Sequence, residues 1–237
     1  MHDPNQALPD WAPPPRPSRA PMTGRYVRLD PLSTAHAADL HRANAESDAI
    51  WEYLPYGPFP DAAAYRAWVE TVAGRDDPLF FAIRNLETGR WCGVASCLRI
   101  TPEAGTIEVG HINFAPALQR TRAATEAMSL MMARAFETGY RRYEWKCNAR
   151  NLGSRRAAQR LGFSYEGVFR QAAVIKGRNR DTAWFAAIDA EWPRLRAAFE
   201  AWLDPANFDG AGRQRTPLSD LTAPILAARD PALQAGA

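Results

Sequence analysis

Glu108-Val109-Gly110-His111-Ile112-Asn113-Phe114-Ala115-Pro116-Ala117-Leu118-Gln119-Arg120-Thr121-Arg122-Ala123-Ala124-Thr125-Glu126-Ala127 decides how this chain folds. Up to Phe114 the apolar residues alternate as in a strand, and Pro116 ends it. From Gln119 to Thr138, Ala, Met, Leu and Phe recur at helical spacing, and Gly139 stands where a helix C-cap is expected. A strand therefore runs almost directly into a helix whose first turn carries Arg120 and Arg122. The leading N–H groups of a helix have no internal partners, and with the positive end of the helix dipole they attract an anion. Arginines there disfavour an isolated helix, so a negatively charged ligand among them explains their presence. The small side chains of Ala123 and Ala124 let phosphates approach the backbone.

Three strand-like runs, 79–84, 91–100 and 106–114, surround this point upstream. They are turned by Glu87-Thr88-Gly89-Arg90 and Pro102-Glu103-Ala104-Gly105 into an antiparallel meander. Before them lie a strand over 25–29, a Ser33-capped helix over 34–44, and a loop holding Trp51, Tyr53, Tyr56 and Phe59 among prolines. Asp61 then caps a helix reaching residue 73. Downstream come a strand over 142–147, a short helix over 151–160, strands over 167–175 and 182–188, and an amphipathic helix over 192–202. The order β-α-α-β-β-β-α-β-α-β-β-α is a mixed α/β (α+β) domain. We expect a Pro-rich leader over 1–21, one domain over 22–203 and an irregular tail over 204–237 that lies over the surface or is mobile.

The 237 residues are 46% hydrophobic, which suffices for a sizeable core. No apolar run approaches the roughly 20 residues a bilayer requires, and the N-terminus has no signal-like apolar stretch. Cys92, Cys97 and Cys147 have neither metal nor disulfide spacing, which suits a reducing cytoplasm; no metal is expected. A net charge of +3 does not argue for nucleic acid, and no recognition motif is present. The local cluster of Arg120, Arg122, Arg141, Arg142, Lys146, Arg150, Arg155, Arg156 and Arg160 suits a polyphosphate ligand, although Arg155 and Arg156 individually read as solvated.

A second constellation is Cys147-Asn148-Ala149-Arg150-Asn151-Leu152-Gly153-Ser154, followed by Leu161-Gly162-Phe163 and Glu166-Gly167. Together the two segments resemble the GNAT superfamily of N-acetyltransferases, whose phosphate loop typically reads Gln/Arg-x-x-Gly-x-Gly/Ala. Gln119-Arg120-Thr121-Arg122-Ala123-Ala124 aligns with that loop. Thr125-Glu126-Ala127, Asn151-x-x-Ser154, Leu161-Gly162-Phe163, Gly177-x-x-x-Asp181 and Glu191-Trp192 are similar to the branch containing ribosomal-protein N-terminal acetyltransferases. Two departures stand out. Arg122 replaces the first glycine of the loop, and the tyrosine many relatives use as general acid would fall near Ala158, leaving that role vacant or moved.

The resemblance implies a central, mostly antiparallel sheet of about seven strands with a V-shaped splay, flanked by helices, and acetyl-CoA as cosubstrate. It implies direct attack by a primary amine in a ternary complex. It places Ile112, Asn113 and Phe114 on the pantetheine, Gln119, Arg120, Thr121, Arg122, Ala123 and Ala124 on the phosphate loop, and Asn148, Asn151 and Ser154 among the cofactor-binding residues. Glu108, expected on one strand face with Gly110, Ile112 and Phe114, is a candidate base; its alternative is a structural ion pair with an arginine. Ser154 is a candidate donor to the departing sulfur or a solvated serine. Asn151 is a pantetheine contact, a helix N-cap, or both. His111 is expected on the opposite face as a satisfied histidine, and Cys147 in the core. Trp51, Tyr53, Tyr56 and Phe59 either line the acceptor pocket or pack. The acceptor is a protein N-terminus or a small-molecule amine, such as an amino acid or an aminoglycoside-like compound. No membrane partner is expected, and a homodimer is left open. The rival function is a non-catalytic acyl-CoA-binding or regulatory module.

Overall fold

The computed structural model describes residues 7–234. The first six residues of the Pro-rich leader, Pro4 among them, and the last three of the tail lie outside the described residues. Eight strands form one sheet: β1 (Met22–Thr23), β2 (Val27–Pro31), β3 (Leu79–Asn85), β4 (Trp91–Thr101), β5 (Thr106–Phe114), β6 (Arg142–Asn148), β7 (Ser164–Ile175) and β8 (Arg178–Ile188). Their spatial order is β1-β2-β3-β4-β5-β6-β8-β7. The class is the mixed α/β one expected, with the two-residue β1 added to the seven expected strands. All neighbours are antiparallel except β5 and β6. Helix α3 (Arg122–Thr138) connects those two, and a helical crossover returns the chain parallel.

Helices cover both faces. Helices α1 (Ala37–Asn44) and α2 (Ala62–Val72) pack on one side with Trp51, Phe80, Ala82 and Val94. On the other, α3 and α5 (Trp192–Leu203) bury Met128, Met131, Leu195 and Phe199 against Leu79, Phe81 and Ile83. This is why Leu79-Phe80-Phe81-Ala82-Ile83 is continuously apolar: successive residues enter different cores. Asp61 caps α2 by accepting from the Ala64 N–H at 2.8 Å, and Gly139 ends α3 with φ +105°.

Helix α3 starts at Arg122, three residues later than its sequence pattern suggests. Thr121 is the N-cap; its Oγ1 accepts from the Ala124 N–H at 3.1 Å, leaving 119–121 as a turn. Glu126, on the second turn, is buried and accepts the backbone N–H groups of Arg25, Tyr26 and Val27 at 2.8, 2.6 and 3.0 Å. It pins the start of the sheet to α3.

Both flanking segments are tied to the domain. Arg134 donates to the carbonyls of Ser18, Ala20 and Pro21, and Arg19 donates to those of Ala73, Gly74 and Arg75. The tail forms α6 (Leu218–Thr222), with Leu218 and Thr222 fully buried, and the Thr222 hydroxyl donates to the Arg160 carbonyl at 3.0 Å. Arg155, which reads as solvated in the sequence, is buried. Its guanidinium meets Asp230 of the tail through two contacts of 2.6 Å. The charge is hidden because its counter-ion arrives from 75 residues away.

Candidate active site

The sheet opens where β5 and β6 part. Their pairing ends at Val109↔Trp145, after which β5 stays with β4 and β6 stays with β8 as far as Asn148↔Thr182. Beyond Val109, the β6-facing edge of β5 has no strand partner among the described residues. The splay thus begins ahead of the Ile112–Phe114 segment where the sequence reading put it.

A bulge sits on this free stretch. Ser96 pairs with Gly110 and Val94 with Asn113, so two steps on β4 face three on β5, and His111 takes φ +49°. The inserted residue reverses the alternation. Ile112 and Phe114 pack against the α3 core instead of sharing the face of Glu108. His111 lies on the α1–α2 side, its ring 5.1 Å from Phe80 and stacked 5.6 Å from Tyr56. The expected faces of His111 and of Ile112 and Phe114 are therefore exchanged, because strict alternation holds only in a strand without a bulge.

Two clefts flank the splay. The first, about 900 Å³, opens at the N-terminus of α3. Gln119, Arg120, Thr121, Arg122 and Ala124 line it with Ile112 and Phe114, and Arg156 and Arg160 add positive charge. Gln119 Nε2 donates to the Phe114 carbonyl at 2.9 Å, tying the turn to the strand end. Arg122 pairs with Glu87 and lies over the rings of Tyr26 and Phe208, at 4.6 and 5.0 Å. The arginine at the usual glycine position is thus anchored in a slot of its own. Ala123 is buried beneath this surface, as is Asn113, whose side-chain amide has no hydrogen-bond partner among the described residues. Neither side chain lines the cleft. Phe208, Gly212 and Gln214 of the tail do line it, a role the composition of the tail concealed. Trp202 holds Gln214 there with an indole N–H bond of 2.8 Å.

The second cleft, about 630 Å³, lies on the α1–α2 side. Glu108 is at its base, 3% exposed, and is met by Arg99 at 2.7 and 2.8 Å and by Lys146 at 2.9 Å. Lys146 also binds Glu144 at 2.7 Å and sits 3.8 Å over the Trp184 ring. Burial alone would raise the Glu144 carboxyl, but hydrogen bonds from Arg142 and Lys146 hold it below the usual carboxylate range. Burial, reinforced by Arg99 and Arg180, pulls His111 down to about 4, so its imidazole is neutral at pH 7. Its Nδ1 is 3.2 Å from the Tyr56 hydroxyl.

Of the four loop aromatics, Tyr53 lines this cleft. Trp51 is buried among Tyr56, Phe59 and Tyr65 and supports the loop from behind. Lys176, at the β7–β8 turn, donates to the Trp51 carbonyl at 2.9 Å and so joins that hairpin to the loop. Asn148 lines this second cleft, not the cationic one, and its Oδ1 accepts from the Arg150 N–H at 2.9 Å. The cleft's cations Arg99 and Arg180 escaped the sequence reading, and Lys146, grouped there with the phosphate-suited arginines, lines this cleft and not the first. The period-two run Arg180, Thr182, Trp184 was the available signal.

The clefts share Ile50, Ile112, Trp145, Asn151 and Ser154. Asn151 caps α4 (Leu152–Arg160), accepting from the Ser154 N–H at 3.0 Å. The Ser154 Oγ accepts the Trp145 indole N–H at 3.0 Å, so the hydroxyl keeps its own proton to donate, and Cys147 lies within its hydrogen-bonding reach. Ala158 is fully buried, away from this junction. Cys147 is buried, and burial pushes its thiol up. No group of three His, Cys, Asp or Glu side chains among the described residues could hold a metal ion, and no described helix is long and apolar enough to cross a membrane.

A family model described as an acetyltransferase (GNAT) domain matches residues 27–164. The chain belongs to the GNAT acetyltransferase family. A GCN5-related N-acetyltransferase from Brucella melitensis is 44% identical over 91% of this chain and all of that one, with a TM-score of 0.89. A protein described as a probable GNAT-family acetyltransferase from Chromobacterium violaceum is 41% identical, covering 81% of this chain and 98% of its own, with a TM-score of 0.75. The microcin C7 self-immunity acetyltransferase MccE, solved with acetyl-CoA and AMP, shares the fold at 19% identity over 70% of this chain and 93% of that one, with a TM-score of 0.63. No curated protein matches the chain. GNAT enzymes take acetyl-CoA as acyl donor. The residues here fit that group: an unpaired strand edge suits an amide-bearing arm, and the arginine-lined end of α3 suits its phosphates.

Proposed function

We propose that this GNAT protein transfers the acetyl group of acetyl-CoA to a primary amine, a small-molecule amine or a protein N-terminus, by direct attack in a ternary complex. One observation carries the reading: a cationic cleft and an acceptor-sized cleft on opposite sides of the sheet meet at Ile112, Trp145, Asn151 and Ser154. Bound acetyl-CoA supplies a thioester; the amine nitrogen bonds to the acetyl carbon while the carbon–sulfur bond breaks. Arg120 and Arg122, with the first free amides of α3, hold its phosphates, and Gly110–Phe114 offers backbone groups to its arm. Ser154, oriented by Trp145, donates its proton towards the departing sulfur, the role left open at Ala158. Glu108 organises water at the amine. Held in place by Arg99 and Lys146, it orders that water, and the amine's proton leaves through the water to solvent, helped by nearby positive charge that disfavours an ammonium.

The second reading, an acyl-CoA-binding module without turnover, draws on the same double pairing of Glu108. Thiol release from acetyl-CoA, measured against a panel of peptides and small amines, separates the two. Acceptor-dependent release that falls about 10²-fold in Glu108→Gln and about 10-fold in Ser154→Ala, with coenzyme A binding retained, supports transfer. No acceptor-dependent release with any amine, despite coenzyme A binding, supports the module.

A further inference from the structure

On β8, Arg180, Thr182 and Trp184 occupy alternate positions and face the Glu108 cleft. Two of them are donors without acceptors. The Arg180 side chain forms no hydrogen bond or salt bridge among the described residues, and its Nε is buried and unpartnered. The neighbouring Asp181 is turned away, accepting from the Gln171 N–H at 2.7 Å and from Asn179 Nδ2 at 3.0 Å. The Trp184 Nε1–H is likewise buried and unpartnered, although its ring is fixed by stacking on Phe169 at 4.4 Å and by Lys146 above it. A buried donor without an acceptor is costly, and an arriving oxygen ligand removes the cost.

The charges point the same way. The cleft presents Arg99, Lys146 and Arg180, three cations, against Glu108 on its wall and Glu144 behind Lys146, two carboxylates. Arg99 and Lys146 are already paired, so the excess charge is that of Arg180. One carboxylate balances it and presents two acceptor oxygens to a rigid fork of donors. A phosphate, with a charge nearer two, would overshoot.

We infer that the amine acceptor carries a carboxylate on its own skeleton, as an amino acid does, and that Arg180 together with the Trp184 indole N–H binds that carboxylate. The inference rests on the reading of this cleft as the acceptor site. The carboxylate compensates the charge and keeps the whole acceptor bound.

The test is calorimetric titration of the coenzyme A-loaded protein with a panel of N-acetyl amino acids and their carboxamides, product-like pairs without an ionisable amine. At least one carboxylate should bind about 10–100-fold tighter than its carboxamide, the range expected for a charge-assisted contact. Arg180→Gln should remove that preference, Arg180→Lys should keep part of it, and Trp184→Phe should weaken it while retaining the ring. Equal binding of acid and amide throughout the panel, or a preference that survives Arg180→Gln in a folded variant, overturns the inference. Thiol release with the parent amines separates this result from the underlying reading. Equal turnover of acids and amides leaves acetyl transfer standing without the carboxylate subsite. A carboxylate preference in binding with no release leaves the subsite standing without transfer.

Discussion

Replacing Asp230 with alanine strands the Arg155 guanidinium inside the protein. In the intact chain Arg155 Nε and Nη2 each contact Asp230 at 2.6 Å, and Nη1 donates to the Ala149 carbonyl at 2.7 Å. Their side chains are 7% and 0% exposed, so water cannot replace the lost carboxylate without opening the tail. Breaking such a buried pair costs about 3–5 kcal/mol. In a domain of this size 1 kcal/mol shifts the melting temperature by roughly 2–4 °C, so Asp230→Ala should melt on the order of 10 °C lower. Arg155→Met combined with Asp230→Leu removes both charges and should restore most of the loss, because apolar pairs often replace buried ion pairs without penalty. Arg155 adjoins Ser154 on α4, so coenzyme A affinity should fall in the single variant and recover in the double one. Thermal and urea denaturation read the first effect, and calorimetric titration the second. An Asp230→Ala protein melting within about 2 °C of wild type would refute the reasoning and make the tail a loosely held appendage.

Three further outcomes are expected. Coenzyme A at 100 times its Kd should stabilise the protein by about 2.7 kcal/mol, and Arg120→Glu with Arg122→Glu should abolish the melting shift; an unchanged shift moves the phosphate site elsewhere. Glu126→Gln should cost about 2–3 kcal/mol in urea denaturation, since an amide cannot accept all three backbone N–H groups of Arg25, Tyr26 and Val27. Acid should also destabilise the fold: burial, then Arg99 and Arg180, lower His111 to about 4, and burial lowers His36, so the unfolded chain binds more protons below 6.5. Stability should therefore fall as pH drops from about 6.5 towards 4, by on the order of 2–3 kcal/mol for His111, and His111→Gln should flatten that slope.

Sequence alone determined what depends on near neighbours. Periodicity and a proline marked the passage from β5 to α3, Asp61 and Gly139 marked helix ends, and the basic residues around Arg120 were legible as a charged turn ahead of α3, because caps, turns and amphipathic stripes are settled within a few residues. Asn151 and Ser154 were legible for the same reason, lying one helical turn apart at the start of α4. Tertiary structure decided the rest. The bulge at His111 arises from pairing with β4, and it alone determines which side chains join Glu108. Whether Glu108 stands free or bound depends on Arg99 and Lys146, delivered by two other strands. Arg155 is buried because Asp230 returns to meet it, and Phe208 and Gln214 reach the cationic cleft because the tail packs across α5. Local pattern cannot encode such partners: each is brought to the site by a fold that forms only when distant segments bury their apolar faces together.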